Sequence, residues 1–147
     1  MKSVAEILRS KPDQTVYSVA PQASVYDALR LMADKNIGAV LVMDEDKIVG
    51  IFSERDYARK VDLMDRSSKQ TAVRVVMTSS VMYARPDQTN DECMALMSGN
   101  RLRHLPVIDN GKLLGLVSIG DLVKDIISEQ QFTIEQLQHY IQGHHRA

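Results

Sequence analysis

Gly50-Ile51-Phe52-Ser53-Glu54-Arg55-Asp56 and Gly115-Leu116-Val117-Ser118-Ile119-Gly120-Asp121 share one pattern, Gly-x-x-Ser-x-x-Asp, 65 residues apart. The likeness spreads outward from them. Residues 16–57 align with 81–122 without a gap, and ten of the 42 pairs are identical. Average composition predicts about two or three. The identical pairs include Pro21/Pro86, Leu31/Leu96, Met32/Met97, Val42/Val107, Asp44/Asp109 and Lys47/Lys112. The chain is therefore written twice. Two copies are too few for a solenoid, so a closed pair with pseudo-twofold symmetry is expected.

Each copy reads as β-α-β-β-α. A short extended piece, 16–19 or 81–84, runs to a proline. Ser24 or Thr89 then caps a helix, with Asp27 or Glu92 three residues on, an acidic first turn that suits the helix dipole. Leu29, Leu31 and Met32, or Met94, Leu96 and Met97, supply apolar faces. A dense apolar run follows, 37–43 or 102–108, of strand length. Asp44-Glu45-Asp46 or Asp109-Asn110-Gly111 turns it into a second strand, 47–53 or 112–118. Asn110-Gly111 is a strong hairpin signal. A second helix is expected near Asp56 or Asp121. Residues 73–77 resemble 4–8, so each copy also has a short leading helix. The fold class is α+β (mixed α/β), with copy 1 at 1–62, a linker at 63–70, copy 2 at 71–128 and a C-terminal helix and tail at 129–147. In that tail Thr133-x-x-Gln136 has a capping-box pattern. Ile134, Leu137 and Ile141 fall on one helical face, Gly143 reads as a stop, and 144–147 should fray.

Composition narrows the function. Apolar residues make up 44% and charged residues 25%, the balance of a globular domain with a core. The net charge of −1 and scattered basic residues give no field to hold nucleic acid or an anionic membrane. No apolar stretch is long enough to span a bilayer, and the N-terminal stretch is too polar for a signal peptide. The single cysteine, Cys93, excludes an internal disulfide and a multi-cysteine zinc site; the expected compartment is the cytoplasm.

The duplicated Gly-x-x-Ser-x-x-Asp heptapeptide, at the end of a hairpin strand and the start of a helix, resembles the CBS domain. Two copies resemble the CBS pair, or Bateman module, over about residues 3–127. The resemblance implies a non-catalytic regulatory module that senses energy or redox state by binding AMP, ADP, ATP or NAD(H). It implies two clefts between the repeats. The first would use Ser53, Arg55 and Asp56, with the base on Val81, Met82, Leu102 and His104 and Arg74 near the phosphates. The second would use Ser118, Gly120 and Asp121, with the base on Val16, Tyr17, Ile37 and Ala39 and Arg103 reaching phosphate. The chemistry agrees: a carboxylate can accept two hydrogen bonds from vicinal ribose hydroxyls. A hydroxyl and free N–H groups at a helix start can hold phosphate. Glu54-Arg55 in one copy against Ile119-Gly120 in the other makes unequal affinities the expectation. The bland alternative makes the two aspartates plain helix caps and the serines strand ends.

No catalytic cofactor and no metal are expected. His139, His144 and His145 have chelating spacing only. His104 in an apolar run is ordinarily a packed residue. Cys93 has acidic neighbours that raise a thiol pKa, and the eight methionines read as core filler. Two other functions compete: a structural dimerisation domain with degenerate clefts, and a small nucleotide-processing enzyme using Arg55, Asp56 and His104. The latter lacks a general base common to both copies. A homodimer is expected from the apolar stripe 134–141, with an unidentified client protein as a further partner.

Overall fold

The computed structural model describes residues 2–144. In chain order its elements are α1 (Val4–Arg9), β1 (Ser18–Val19), α2 (Val25–Lys35), β2 (Ala39–Asp44) and β3 (Lys47–Ser53). Then come α3 (Glu54–Asp56), running into a π-helical stretch Tyr57–Asp62, α4 (Val73–Val76), α5 (Asn90–Asn100), β4 (His104–Asp109), β5 (Lys112–Ser118) and α6 (Ile119–His144). They pack into two compact units. One is Thr15–Met82; the other joins the residues up to Gln14 to those from Tyr83 onward.

In the Thr15–Met82 unit, β1 pairs parallel with β2, which pairs antiparallel with β3. In the other unit, β4 and β5 form the matching hairpin. Both hairpins slip register at the same place, after Val42 and after Val107, so the repeat extends to its irregularities. Asn110 and Gly111 take φ of 50° and 79°, the left-handed values that a two-residue hairpin turn requires. Ser24 and Thr89 cap α2 and α5 by accepting from Asp27 N and Glu92 N, as the sequence predicts.

The cores correspond position by position. Ala28, Met32, Val40, Val42 and Phe52 in one unit match Cys93, Met97, Leu105, Val107 and Val117 in the other. The leading helices complete these cores, but each joins the sheet of the other copy. Val73 and Val76 of α4 pack with copy 1, and Val4 and Ile7 of α1 pack with copy 2. Equivalent hydrogen bonds fix them: Val73 N and Arg74 N donate to Ala23 O and Pro21 O, and Val4 N and Ala5 N to Gln88 O and Pro86 O. The repeat boundaries at 1–62 and 71–128 thus describe the sequence, while the packing divides the chain otherwise.

Three local expectations are corrected. The extended piece at 16–19 pairs only over Ser18–Val19, and that at 81–84 only as a single bridge from Ala84 to Val107. Leu41 N donates to Tyr17 O in the first copy; its counterpart Pro106 has no N–H to give Met82, so the pairing there shrinks. The helices after the hairpins begin at Glu54 and Ile119, with Ser53 rather than Asp56 as the cap. Finally, no separate tail helix starts at 130. α6 runs unbroken through Gly143, and Thr133 sits inside it, donating to Glu129 O at 3.0 Å. Of the fraying expected at 144–147, His144 still belongs to α6, and 145–147 lie outside the described residues.

Gly50 and Gly115 are where the leading segments come closest to the sheets. A Cβ on Gly50 would overlap the Met77 side chain, 2.8 Å from Cγ, and stand 3.0 Å from the Thr78 carbonyl oxygen. On Gly115 it would meet only the tip of Leu8, 3.0 Å from Cδ2, which can rotate away. Gly50→Ala should therefore cost about 1–3 kcal/mol of stability, and Gly115→Ala markedly less. Urea denaturation midpoints check this; equal shifts would contradict it.

Candidate functional site

The two signature serines and aspartates form reciprocal capping boxes. Ser53 Oγ accepts from Asp56 N, and Asp56 Oδ2 accepts from Ser53 N at 3.1 Å. Ser118 Oγ accepts from Asp121 N, and Asp121 Oδ2 accepts from Ser118 N at 2.8 Å. The aspartates are therefore the third residues of their helices, not the caps, and the serines are more than strand ends.

Around this shared frame the two carboxylates differ. Asp56 is buried, 8% exposed. Its Oδ2 also accepts from Ser53 Oγ, and its Oδ1 accepts from Thr78 Oγ1 at 3.1 Å and pairs with Lys60 at 3.1 Å. Both oxygens are thus engaged. Asp121 is half-buried, and its Oδ2 pairs with Lys11 at 3.1 Å. Its Oδ1 carries no hydrogen bond among the described residues, and Lys11 is anchored by donating to Leu116 O at 3.0 Å. The second carboxylate keeps one oxygen open and a cation beside it.

Backbone N–H groups are scarcer than the sequence suggests. Glu54 N donates to Gly38 O, and Ile119 N to Arg103 O. With Asp56 N and Asp121 N on their serines, two of the first three N–H groups of each helix are already taken. An added Cβ on Gly120 would meet Ser118 Oγ at 3.6 Å, an ordinary contact, so the position is not sterically closed.

The remaining candidate residues divide between the units. Arg55, Arg74, Val81 and Met82 share the Thr15–Met82 unit with Ser53 and Asp56, whereas Leu102 and His104 belong to the other. Arg103 and Gly120 share a unit with Ser118 and Asp121, whereas Val16, Tyr17, Ile37 and Ala39 do not. Arg55, Arg74, Arg103 and Met82 are exposed; Ala39 is only 2% exposed. Tyr17 has Lys35 over its ring at 5.4 Å. His104 pairs across the hairpin with Ser118. Burial lowers its pKa, against a smaller raising effect of Asp121, while Lys11 and Arg103 lower it further. At neutral pH it is an uncharged imidazole.

Three neighbours of the signature carboxylates escape sequence reasoning: Lys11, Lys60 and Thr78. Lys60 was within reach, because it stands four residues after Asp56, the spacing of a helical ion pair. Lys11 and Thr78 have no such signal; only the packing of the leading segments brings them to the carboxylates. Among the described residues no cluster of three or more His, Cys, Asp or Glu could hold a metal ion. No helix among them is long and apolar enough to cross a membrane. Cys93 is fully buried, and burial raises its thiol pKa, with Glu92 adding to the effect. A groove of about 500 Å³ lies apart from the signature residues, between the start of α5 and the middle of α6. Beside it Asn90 donates to Leu122 O and Asp125 Oδ2, and its own buried Oδ1 has no hydrogen-bond partner among the described residues.

Comparison with known proteins gives consistent results. The family model for the CBS domain matches residues 4–63 and 73–128. The chain is 35% identical over 149 aligned positions to the mitochondrial CBS domain-containing protein CBSX3 of Arabidopsis thaliana, covering 96% of this chain and 72% of that one. A CBS-domain protein from Burkholderia ambifaria is 60% identical, with a TM-score of 0.86 over 90% of this chain and 99% of its own. A more distant CBS-domain pair, solved in complex with 5′-methylthioadenosine and S-adenosyl-L-methionine, is 24% identical with a TM-score of 0.74 over 88% of this chain and 98% of its own.

Proposed function

The chain belongs to the CBS-domain family, and from that premise we propose that it is a non-catalytic regulatory module that binds adenine nucleotides at its two signature carboxylates. The observation that carries this reading is Asp121. A half-buried carboxylate with Oδ1 open, Oδ2 held by Ser118 N–H and Lys11 alongside can accept both hydroxyls of a ribose and offer a cation to phosphate. Ser118, Gly120 and Arg103 belong to this site, and Gly120 lets a ligand approach the backbone. Ser53, Arg55, Asp56 and Arg74 make the other. The apolar contacts for the base stay as the resemblance implies them: Val81, Met82, Leu102 and His104 for one, Val16, Tyr17, Ile37 and Ala39 for the other.

The sites are unequal. Asp56 must give up Thr78 or Lys60 before it accepts a ribose hydroxyl, whereas Asp121 need not rearrange. The Asp121 site therefore fills first. The saturation of Asp56 is also what favours a structural role for the first signature when no ligand is bound. Ligand state is passed on through a homodimer or a client protein, in a reducing compartment such as the cytoplasm, which a lone buried cysteine suits.

Calorimetric titration with AMP, ADP, ATP and NAD(H), against GMP and GTP, tests the reading. The apolar slot with backbone groups reads the adenine edge, and the phosphate end faces basic side chains. Adenine forms should bind at least tenfold tighter than guanine forms, with tolerance of phosphate number. Equal affinity for guanine forms would contradict the site, and no binding of any of them would leave the structural reading. Product analysis after long incubation with ATP should find it unchanged.

A further inference from the structure

Asn90 stands where the first copy has Val25, a fully buried core residue, and is itself only 2% exposed. A buried amide in place of a valine is costly unless its polar atoms are paired. Its Nδ2 donates to Leu122 O at 2.9 Å and to Asp125 Oδ2 at 3.0 Å, and two acceptors on that side fix which end of the amide is nitrogen. Oδ1 is left as a buried acceptor with no hydrogen-bond partner among the described residues. Asn90 also lines the groove of about 500 Å³ beside α6, which lies wholly within one unit. Ile126, Glu129, Gln130, Thr133 and Ile134 form its α6 wall, at the spacing of one helical face about 12 Å long. The lining has one electrostatic character. Asp91 and Glu129 bring two carboxylates, and no lysine, arginine or histidine lines the groove. Thr133 Oγ1 donates its hydrogen to Glu129 O at 3.0 Å, so it has only lone pairs left to offer. The Lys2 ammonium is paired with Asp125 Oδ1 at 3.5 Å. The positive end of α5 is offset by Asp91 and Glu92 in its first turn.

We propose that this groove binds a linear aliphatic polyamine, an extended alkyl chain with ammonium groups at its ends. The ammonium groups meet the carboxylates of Asp91 on α5 and Glu129 on α6, as charge-assisted hydrogen bonds. The methylene segments lie along Ile126 and Ile134. The end nearest α5 supplies the donor that Asn90 Oδ1 lacks. That oxygen is covered by its neighbours, so a donor reaches it only by parting them, and binding moves Asn90 itself. The groove's length suits a triamine such as spermidine. A dicarboxylate of the same length would be repelled, and a bare metal ion gains nothing from the isoleucines. The lysine side chain of a partner protein has the same head and stem but a single ammonium, which leaves one carboxylate unanswered. The groove is apart from both signature carboxylates, so the proposal does not rest on nucleotide binding.

Spermidine titrated into the isotope-labelled full chain, without nucleotide, tests it. The side-chain amide resonance of Asn90 and the backbone amides of Asp91, Glu129 and Thr133 should shift and saturate at millimolar spermidine or below, while those of Ser53, Asp56, Ser118 and Asp121 stay in place. Magnesium at equal charge and hexanedioate should move none of the groove resonances. The double variant Asp91→Asn, Glu129→Gln should bind spermidine roughly tenfold more weakly, with its thermal melting little changed, because Asp91 is exposed and Glu129 half-buried. Groove resonances that do not move, that move equally with magnesium, or that keep their affinity in the double variant would each overturn the proposal. So would shifts that begin at the signature aspartates. Tighter binding of a lysine amide than of spermidine would overturn it too, by assigning the groove to a side chain of a partner protein. Nucleotide titration of the same double variant should be unchanged, so failure of the groove and failure of the nucleotide sites are read separately.

Discussion

Asp121→Asn should weaken adenine-nucleotide binding at the second site roughly ten- to a hundredfold or more, while the first site keeps its affinity. The reason lies in what the carboxylate does in each state. Without ligand it accepts Ser118 N–H and pairs with Lys11, and an asparagine oxygen can still serve the N–H. With ligand it must also accept two ribose hydroxyls, charge-assisted bonds of about 1.5–3 kcal/mol each before desolvation and coupling are counted. Asparagine offers one neutral acceptor and an amide that donates where a hydroxyl also donates. A role in the capping box alone predicts a different outcome: a small loss of stability, since the asparagine oxygen can still accept Ser118 N–H, and unchanged affinity. Calorimetry and melting on the same variant separate the two.

Asp56→Asn should act mainly on stability, at about 2–4 kcal/mol. Asp56 is buried and accepts from Ser53 N, Ser53 Oγ and Thr78 Oγ1, each at 3.1 Å. The single asparagine oxygen can keep the two Ser53 donors, but the Thr78 hydroxyl and Lys60 then face an amide N–H group, in a place water reaches poorly. The Lys60 pair adds little, because that ammonium is 44% exposed. Native stabilities run about 5–15 kcal/mol, so the variant stays folded but should melt roughly 5–15 °C lower. Asp121→Asn, with fewer bonds and a half-exposed carboxylate, should shift melting much less. Equal shifts from the two substitutions would contradict the difference between the carboxylates.

How far the sequence carries can be judged residue by residue. The hairpin strands Lys47–Ser53 and Lys112–Ser118 were readable to their ends, because a turn precedes each apolar run and the signature serine closes it in both copies. Ser24 and Thr89 announced their helices through an acidic residue three positions on. The same rule made Ser53 and Ser118 the caps and Asp56 and Asp121 the third residues, a reading that assigning the aspartates to the caps overlooked. The exchange of leading helices was not readable: Val4 and Ile7 carry the same pattern as Val73 and Val76, so either sheet accepts either helix. Thr133 misled because a threonine that caps a helix and one that bonds back to a carbonyl four residues earlier look alike in sequence. Nothing between Asp121 and Gly143 breaks a helix, and that continuity was the better signal. Lys11 lies 110 residues from Asp121, and only the fold brings them together.

The central claim, that adenine nucleotides bind at Asp121 before Asp56, is tested most directly by following backbone amide resonances while AMP is added to the isotope-labelled chain. The account predicts that Ser118, Gly120 and Asp121 shift first and saturate at lower AMP than Ser53, Arg55 and Asp56. Shifts that saturate together, that begin at Asp56, or that leave both signatures unmoved would contradict it.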